Sequence, residues 1–188
     1  MKMASQNCFL YFAYGSNLLK KRIHVNNPSA KMISVAKLKD YRLDFILFSQ
    51  NWQGATATIV EDPGNFVYGV IWEIGNEDMA KLDRQEGVNN GVYKVLEVDV
   101  ETPNGESVRA RCYQQLITFT EDKRPSSVYK NVIIQGAREN GLPENYIKFL
   151  ESIEDNGYSG EVILTGGSYK ITYLLYHEYS VMPSTYGI

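Results

Sequence analysis

With 188 residues, 44% hydrophobic and 22% charged, the chain has the length and composition of one compact globular domain with a sizeable core, which excludes fibrous and disordered classes. A formal net charge of −3 gives no basic footprint, so nucleic acid and anionic membrane are excluded as expected partners and a small-molecule ligand is favoured. Only two histidines and two cysteines are present, Cys8 and Cys112 have no metal-ligand spacing, and no apolar run approaches the ~20 residues that span a bilayer, so the expectation is a cytosolic protein without metal or cofactor.

Taken in order, residues 9–19 (FLYFAYGSNLL) read as an aromatic β-strand, a Gly-Ser-Asn turn and the start of a short helix reaching about residue 24, with Leu19 and Ile23 at helical spacing. Gly15 permits a sharp turn and Ser16 or Asn17 is a natural N-cap, so free N–H groups converge on one point that attracts an anion or a developing oxyanion. An ordinary capped helix after a buried strand accounts for the same pattern. Neither phosphate-loop signature occurs, and Gly15-Ser16 lacks the flanks of a nucleophile elbow.

Asn27-Pro28 ends that helix, and strands are predicted over 33–36, 43–48, 55–60 and 66–74, with turns at 50–54 and 61–65. Short strands with frequent turn signals predict a curled antiparallel sheet or a small barrel. A helix follows from about 77 to 86, closed by Gly87, with Met79 and Leu82 facing the core. Four residues beyond Leu82, Glu86 emerges from that same apolar stripe. A desolvated carboxylate gains proton affinity and suits a general base, whereas a helix end often turns its last residue to solvent. Glu77, Asp78 and Asp83 read as solvated helix-face charges.

Residues 92–101 and 107–116 form a predicted hairpin around Pro103-Asn104-Gly105. Tyr93 falls on one face of the first strand, and Tyr113 and Gln115 share a face of the second, so the two tyrosines can point into one cavity. Helices over 126–139 and 143–154 carry apolar faces explained by core packing, Tyr129 included. The segment 163–188 has β composition without a polar face and reads as an added strand or an unpacked extension, outside a main domain of residues 1–162.

These pieces resemble the γ-glutamylcyclotransferases. The resemblance rests on residues 9–19, on Arg22-Ile23-His24 with Asn27-Pro28-Ser29-Ala30, on Leu82-Asp83-Arg84-Gln85-Glu86-Gly87-Val88 and on Glu139-Asn140-Gly141-Leu142-Pro143, in order over about residues 8–162. It implies an α+β fold, a small mixed β-barrel with flanking helices, and a cofactor-free enzyme of glutathione-related metabolism that converts a γ-glutamyl amino acid to 5-oxoproline and a free amino acid. Carried over residue by residue, it implies Glu86 as general acid/base and Tyr11, Phe12, Ala13, Tyr14, Gly15, Ser16 and Asn17 around the glutamyl head. Tyr93, Tyr113 and Gln115 complete the implied substrate-binding set. Some members are homodimers. The same motifs fit a sister activity on γ-glutamyl-ε-lysine or glutathione, or a non-catalytic γ-glutamyl metabolite-binding module. The departure from the family is the tyrosine-rich, apolar 163–188 segment, where members end in a short charged tail.

Overall fold

A computed structural model describes residues 7–116, 122–166, 169–173 and 181–183. Five strands close into a barrel in the order β1-β3-β2-β4-β5. Strand β1 (Cys8–Ala13) is the apolar run of the first motif; Phe12 and Ala13 have no solvent exposure. It pairs antiparallel with β3 (Gly54–Gly75) and parallel with β5 (Ser107–Gln115) through Tyr11 opposite Arg111, and this second contact closes the ring. A strand covered on both sides reads as a continuous hydrophobic run, as β1 does.

Where four short strands are expected, the chain makes two long ones. Strand β2 (Lys31–Ser49) and β3 form a single hairpin turning at residues 50–53. Lys39 opposes Phe66 and Tyr41 opposes Glu61, so the Pro-Gly stretch at 62–65 bulges out of register while its flanks stay paired. Gly64 takes φ +87° at the tip and its N–H donates to Asp40 Oδ1 at 2.9 Å. The Pro-Gly signal therefore marks a bulge inside a strand.

After β3 comes helix α2 (Asn76–Gln85), with Leu82 fully buried and Glu86 as its C-cap. Gly87, at φ +64°, reverses the chain in the left-handed conformation that favours glycine. Asp78 and Asp83 are not solvated charges. Asp78 is 1% exposed and bonded to Ser29 and Lys81, and Asp83 pairs with Arg111 at 2.6 Å. Strands β4 (Tyr93–Glu101) and β5 form the expected hairpin.

Helix α3 (Ser127–Glu139) is capped by Ser126, whose Oγ accepts from the Tyr129 N–H at 3.0 Å. Pro143 precedes α4 (Glu144–Ser152). Beyond the C-terminal end of α3, Asn140 Nδ2 donates to the Leu18 carbonyl at 2.8 Å, which fixes the first-motif loop against the helix. Strands β6 (Val162–Gly166), β7 (Tyr169–Tyr173) and β8 (Val181–Pro183) pair among themselves in a separate three-stranded sheet. The other positions of the 163–188 segment lie outside the described residues, and among the described residues no helix is long and apolar enough to cross a membrane.

Candidate active site

Between β1 and the short helix α1 (Lys20–Ile23), residues Ser16–Leu18 form one 3-10 turn with Gly15 at its N-cap. Ser16 and Asn17 do not act as caps. They lie inside the turn, and the Asn17 side chain is spent elsewhere: its Nδ2 donates to Tyr11 Oη at 3.1 Å and to Glu86 Oε1 at 3.2 Å. Gly15 sits at a close approach: a Cβ there would stand 3.3 Å from both Ala57 Cβ and Tyr129 Oη, so these neighbours would have to give by a few tenths of an ångström.

Glu86 ends α2 with its carboxyl facing this loop. Gln85 Nε2 donates to Glu86 Oε1 at 3.1 Å, beside the Asn17 bond to the same oxygen. The residue as a whole is half-buried and lines a cavity. Burial pushes its pKa above the ordinary carboxylate range. The Arg22 charge and the bonds from Gln85 and Asn17 pull it back in part, while Asp83 adds to the rise. Its place at the negative end of α2 disfavours the charge further.

Two cavities meet at this carboxyl. The inner one, about 40 Å³, is walled by Tyr11, Tyr14, Gly15, Ser16, Asn17, Ala57, Glu86, Tyr93, Tyr113 and Tyr129. The outer one, about 280 Å³, shares Ser16, Glu86, Tyr93 and Tyr129 with it and continues past Arg22, Gln85, Phe48, Trp52 and Val92. The tyrosines are fixed by the fold. Tyr14 Oη donates to the Tyr113 carbonyl at 2.5 Å, Tyr113 Oη donates to Asp83 Oδ1 at 2.5 Å, and Tyr93 Oη donates to the Ala57 carbonyl at 3.0 Å. Tyr129 Oη accepts the Ala57 N–H at 3.1 Å and its ring lies 4.7 Å from that of Trp52. Burial pushes all five phenols up, Tyr129 to about 12, so at neutral pH each is an uncharged hydroxyl.

Of the residues singled out from sequence, Tyr11, Tyr14, Gly15, Ser16, Asn17, Glu86, Tyr93 and Tyr113 converge on the inner cavity. Phe12 and Ala13 do not: alternation along β1 turns Phe12 away from Tyr11, and both are sealed in the core. Gln115 also stands behind the wall, where its Nε2 donates to Tyr93 Oη at 2.6 Å and to Thr56 Oγ1 at 2.8 Å. Sequence reading missed Tyr129, Ala57, Arg22 and Gln85. Tyr129 sits on the apolar stripe of α3 and carries no sequence signal of its own, whereas Arg22 and Gln85 lie inside the quoted motifs.

The AIG2-like family model matches residues 66–150. The γ-glutamylcyclotransferase of Mus musculus is 47% identical over 174 residues, covering 85% of this chain and 92% of that protein. The γ-glutamylcyclotransferase of Bos taurus is 51% identical over 158 residues, covering 82% of this chain and 83% of its own. Among solved structures, a γ-glutamyl cyclotransferase at 47% identity superposes with a TM-score of 0.78 over 82% of this chain and 93% of that one.

Proposed function

The chain belongs to the γ-glutamylcyclotransferase family, and from that premise we propose that it closes a γ-glutamyl amino acid into 5-oxoproline, with Glu86 as the single acid/base. The observation that carries this reading is the position of the Glu86 carboxyl at the junction of the two cavities, with its proton affinity raised by burial.

In this reading the glutamyl head fills the inner cavity and the leaving amino acid occupies the outer one. Glu86 takes a proton from the substrate's α-ammonium, and the freed amine attacks the γ-carbonyl carbon. The new C–N bond closes the ring, and the proton held by Glu86 passes to the departing nitrogen as the old C–N bond breaks. The second proton that the attacking nitrogen must lose follows through the same carboxylate, so the amine leaves as its ammonium and Glu86 ends ionised. Both reacting groups belong to one molecule, so a substrate folded by a tight cavity gains a large effective molarity. The N–H groups that open a helical turn have no partner within it, which suits those at Gly15 and Ser16 to the α-carboxylate or the oxyanion. Tyr11 Oη accepts from Asn17 and keeps its own proton to donate to the ligand.

A cytosolic location agrees with Cys8 and Cys112 being free thiols. For assembly we propose a homodimer, with the exposed Phe66 and Phe149 beside Tyr146 as its apolar contact; sedimentation tests it.

The deciding experiment follows 5-oxoproline release from γ-glutamyl-alanine, with glutathione and γ-glutamyl-ε-lysine in parallel, for the wild type and Glu86→Gln. We expect turnover of the dipeptide that falls in the variant by at least the 10²–10⁴-fold typical of general acid–base catalysis. The acid limb of kcat/KM should lie above the ordinary carboxylate range, since Glu86 must be ionised to act and its pKa is raised. Turnover of the variant within a few-fold of wild type refutes the role of Glu86. Faster turnover of either parallel substrate moves the protein to a sister activity, and binding without any turnover makes it a metabolite-binding module.

A further inference from the structure

The side-chain amide of Gln85 stands between a permanent cation and the Glu86 carboxylate. Its Oε1 accepts from Arg22 Nη1 at 3.2 Å and from Asn26 Nδ2 at 2.9 Å. Its Nε2 donates to Glu86 Oε1 at 3.1 Å and to Asn17 Oδ1 at 3.1 Å. Asn17 then donates from Nδ2 to that same Glu86 oxygen and to Tyr11 Oη.

The direction of this chain is not arbitrary. A guanidinium can only donate, so the group Arg22 meets must be an acceptor. The Gln85 carbonyl therefore faces Arg22, and its N–H₂ faces the other way. Asn17 must then turn its carbonyl toward Gln85 and its own N–H₂ toward Glu86. Two N–H donors arrive on Glu86 Oε1, while no described side chain hydrogen-bonds Oε2. Reversing the Gln85 amide would set donor against donor at Arg22 and carbonyl against carboxylate at Glu86.

We propose that Gln85 is a positioning residue for Glu86: oriented by Arg22 and Asn26, it ties up Oε1 and reserves Oε2 as the atom that takes and returns the proton. This rests on Glu86 being the acid/base of the reaction. Gln85 itself transfers nothing. Its effect is geometric, holding one oxygen so the other meets the substrate amine at a fixed angle, and electrostatic, because donors on Oε1 favour the ionised carboxyl.

The charged groups that act on Glu86 are Arg22 from α1 and Asp83 from its own helix. The neutral titratable groups that share its cavities are Tyr11 and Tyr14 from β1 and its loop, Tyr93 from β4, Tyr113 from β5 and Tyr129 from α3, and the fully buried Cys112 of β5 acts on it from behind the wall. Burial raises the pKa of each of these six, so none ionises near neutrality. Both bonds that stabilise the carboxylate come from neutral amides, Gln85 and Asn17; Asn17 also donates to Tyr11 Oη, so the Gln85 bond is the one that can be deleted without altering a charge or a cavity tyrosine's partner.

The test is the pH profile of 5-oxoproline release from γ-glutamyl-alanine by Gln85→Met, which keeps the length of the side chain and loses its hydrogen bonds. We expect kcat to fall on the order of 10²-fold, the scale of a misplaced catalytic group, with KM held within about threefold. The acid limb of kcat/KM should move to higher pH, because one donor to the ionised form is gone. Gln85→Glu is the second variant. It keeps acceptors for Arg22 and Asn26, donates nothing to Glu86 and adds a like charge, so its acid limb should move further up; it decides the matter if Gln85→Met fails to fold.

Wild-type kcat and acid limb in a folded variant overturn the proposal. So does a loss of kcat with the acid limb unmoved, which marks a merely structural role. If Glu86→Gln itself turns over, the premise has failed instead; an inactive Glu86→Gln beside a wild-type-like Gln85→Met defeats only the inference about Gln85.

Discussion

Helix α2 carries two covered carboxylates, Asp78 in its first turn and Glu86 at its C-cap, and the fold treats them in opposite ways. Around Asp78 the acceptor positions are filled. Ser29 donates to Oδ2 from Oγ at 2.5 Å and from its backbone N–H at 3.1 Å, and Lys81 Nζ meets Oδ1 at 2.7 Å. Burial pushes this carboxyl up, but Lys81 and Ser29 outweigh it and hold the pKa below the ordinary range. Its position at the positive end of the helix acts in the same direction. Around Glu86 the donors are amides on one oxygen, the helix end is negative, and the pKa stays raised. The comparison teaches that cover alone does not make a carboxylate reactive. A covered acid is structural where the fold satisfies both oxygens, and available for chemistry where one oxygen fronts an open space.

The sharpest way to break the contrast is to remove that space. Gly15→Val places a β-branched side chain whose Cβ already touches Ala57 and Tyr129 at 3.3 Å, and its methyl groups enter a cavity of about 40 Å³. We expect kcat/KM for γ-glutamyl-alanine to drop by at least about 10²-fold, the cost of misplacing bound reactants. Gly15→Ala should fall between the two. Wild-type kinetics for Gly15→Val would mean that the substrate does not use the inner cavity.

At the other end of the helix the expected effect falls on stability. Asp78→Ala strips the acceptor from Ser29 and Lys81, and hydrogen bonds to a charged group of this kind are worth about 1.5–3 kcal/mol each. Since Ser29 Oγ also accepts the Gly75 N–H at 3.0 Å, the lesion reaches the β3–α2 junction. We expect a loss of about 2–3 kcal/mol in chemical denaturation at neutral pH, with kcat per folded molecule unchanged. The sign with pH follows from the lowered pKa. The Asp78 contribution is present above the unfolded-state pKa and is lost as pH falls through the folded one, so variant and wild type should converge in acid. A large loss of kcat in Asp78→Ala would dissolve the division between the two ends.

How much of this was legible in the sequence depends on whether the deciding neighbour is local. Glu86 was visible as an acid on an apolar stripe four residues beyond Leu82, and Gly87 as a helix stop, because both follow from helical spacing. The closed barrel was legible as a class, from many strands and turns, but not the bulge at 62–65, because pairing across the hairpin overrides a local Pro-Gly signal. Asp78 and Asp83 were misjudged for the same reason. Asp78 has one local partner, Lys81 at i+3, but the Ser29 that covers its other oxygen and the Arg111 that pairs with Asp83 lie 49 and 28 residues away, and no periodicity within α2 reports them. Tyr129 was hidden differently: on its helix it is indistinguishable from a core residue, and only the approach of Gly15 and Ala57 makes it a cavity wall.

The smallest expected effect sharpens the contrast from the side of stability. Because the folded-state pKa of Glu86 is raised, the folded chain holds a proton there that the unfolded chain releases between the ordinary carboxylate pKa and the folded one. Stability therefore declines as pH rises through that window and stays lower above it. Glu86→Gln keeps an oxygen that can accept from Gln85 and Asn17 while removing the charge, and with it the penalty. The variant should accordingly be inactive and yet melt above the wild type at pH 7–8, with the two curves meeting near pH 4, where the wild-type carboxyl is protonated. Asp78→Asn should do the reverse, melting below wild type at neutral pH and approaching it in acid. If Glu86→Gln instead melted below wild type at neutral pH, the cation and amides around Glu86 would be over-compensating its burial, and the carboxylate would be structural in the way Asp78 is.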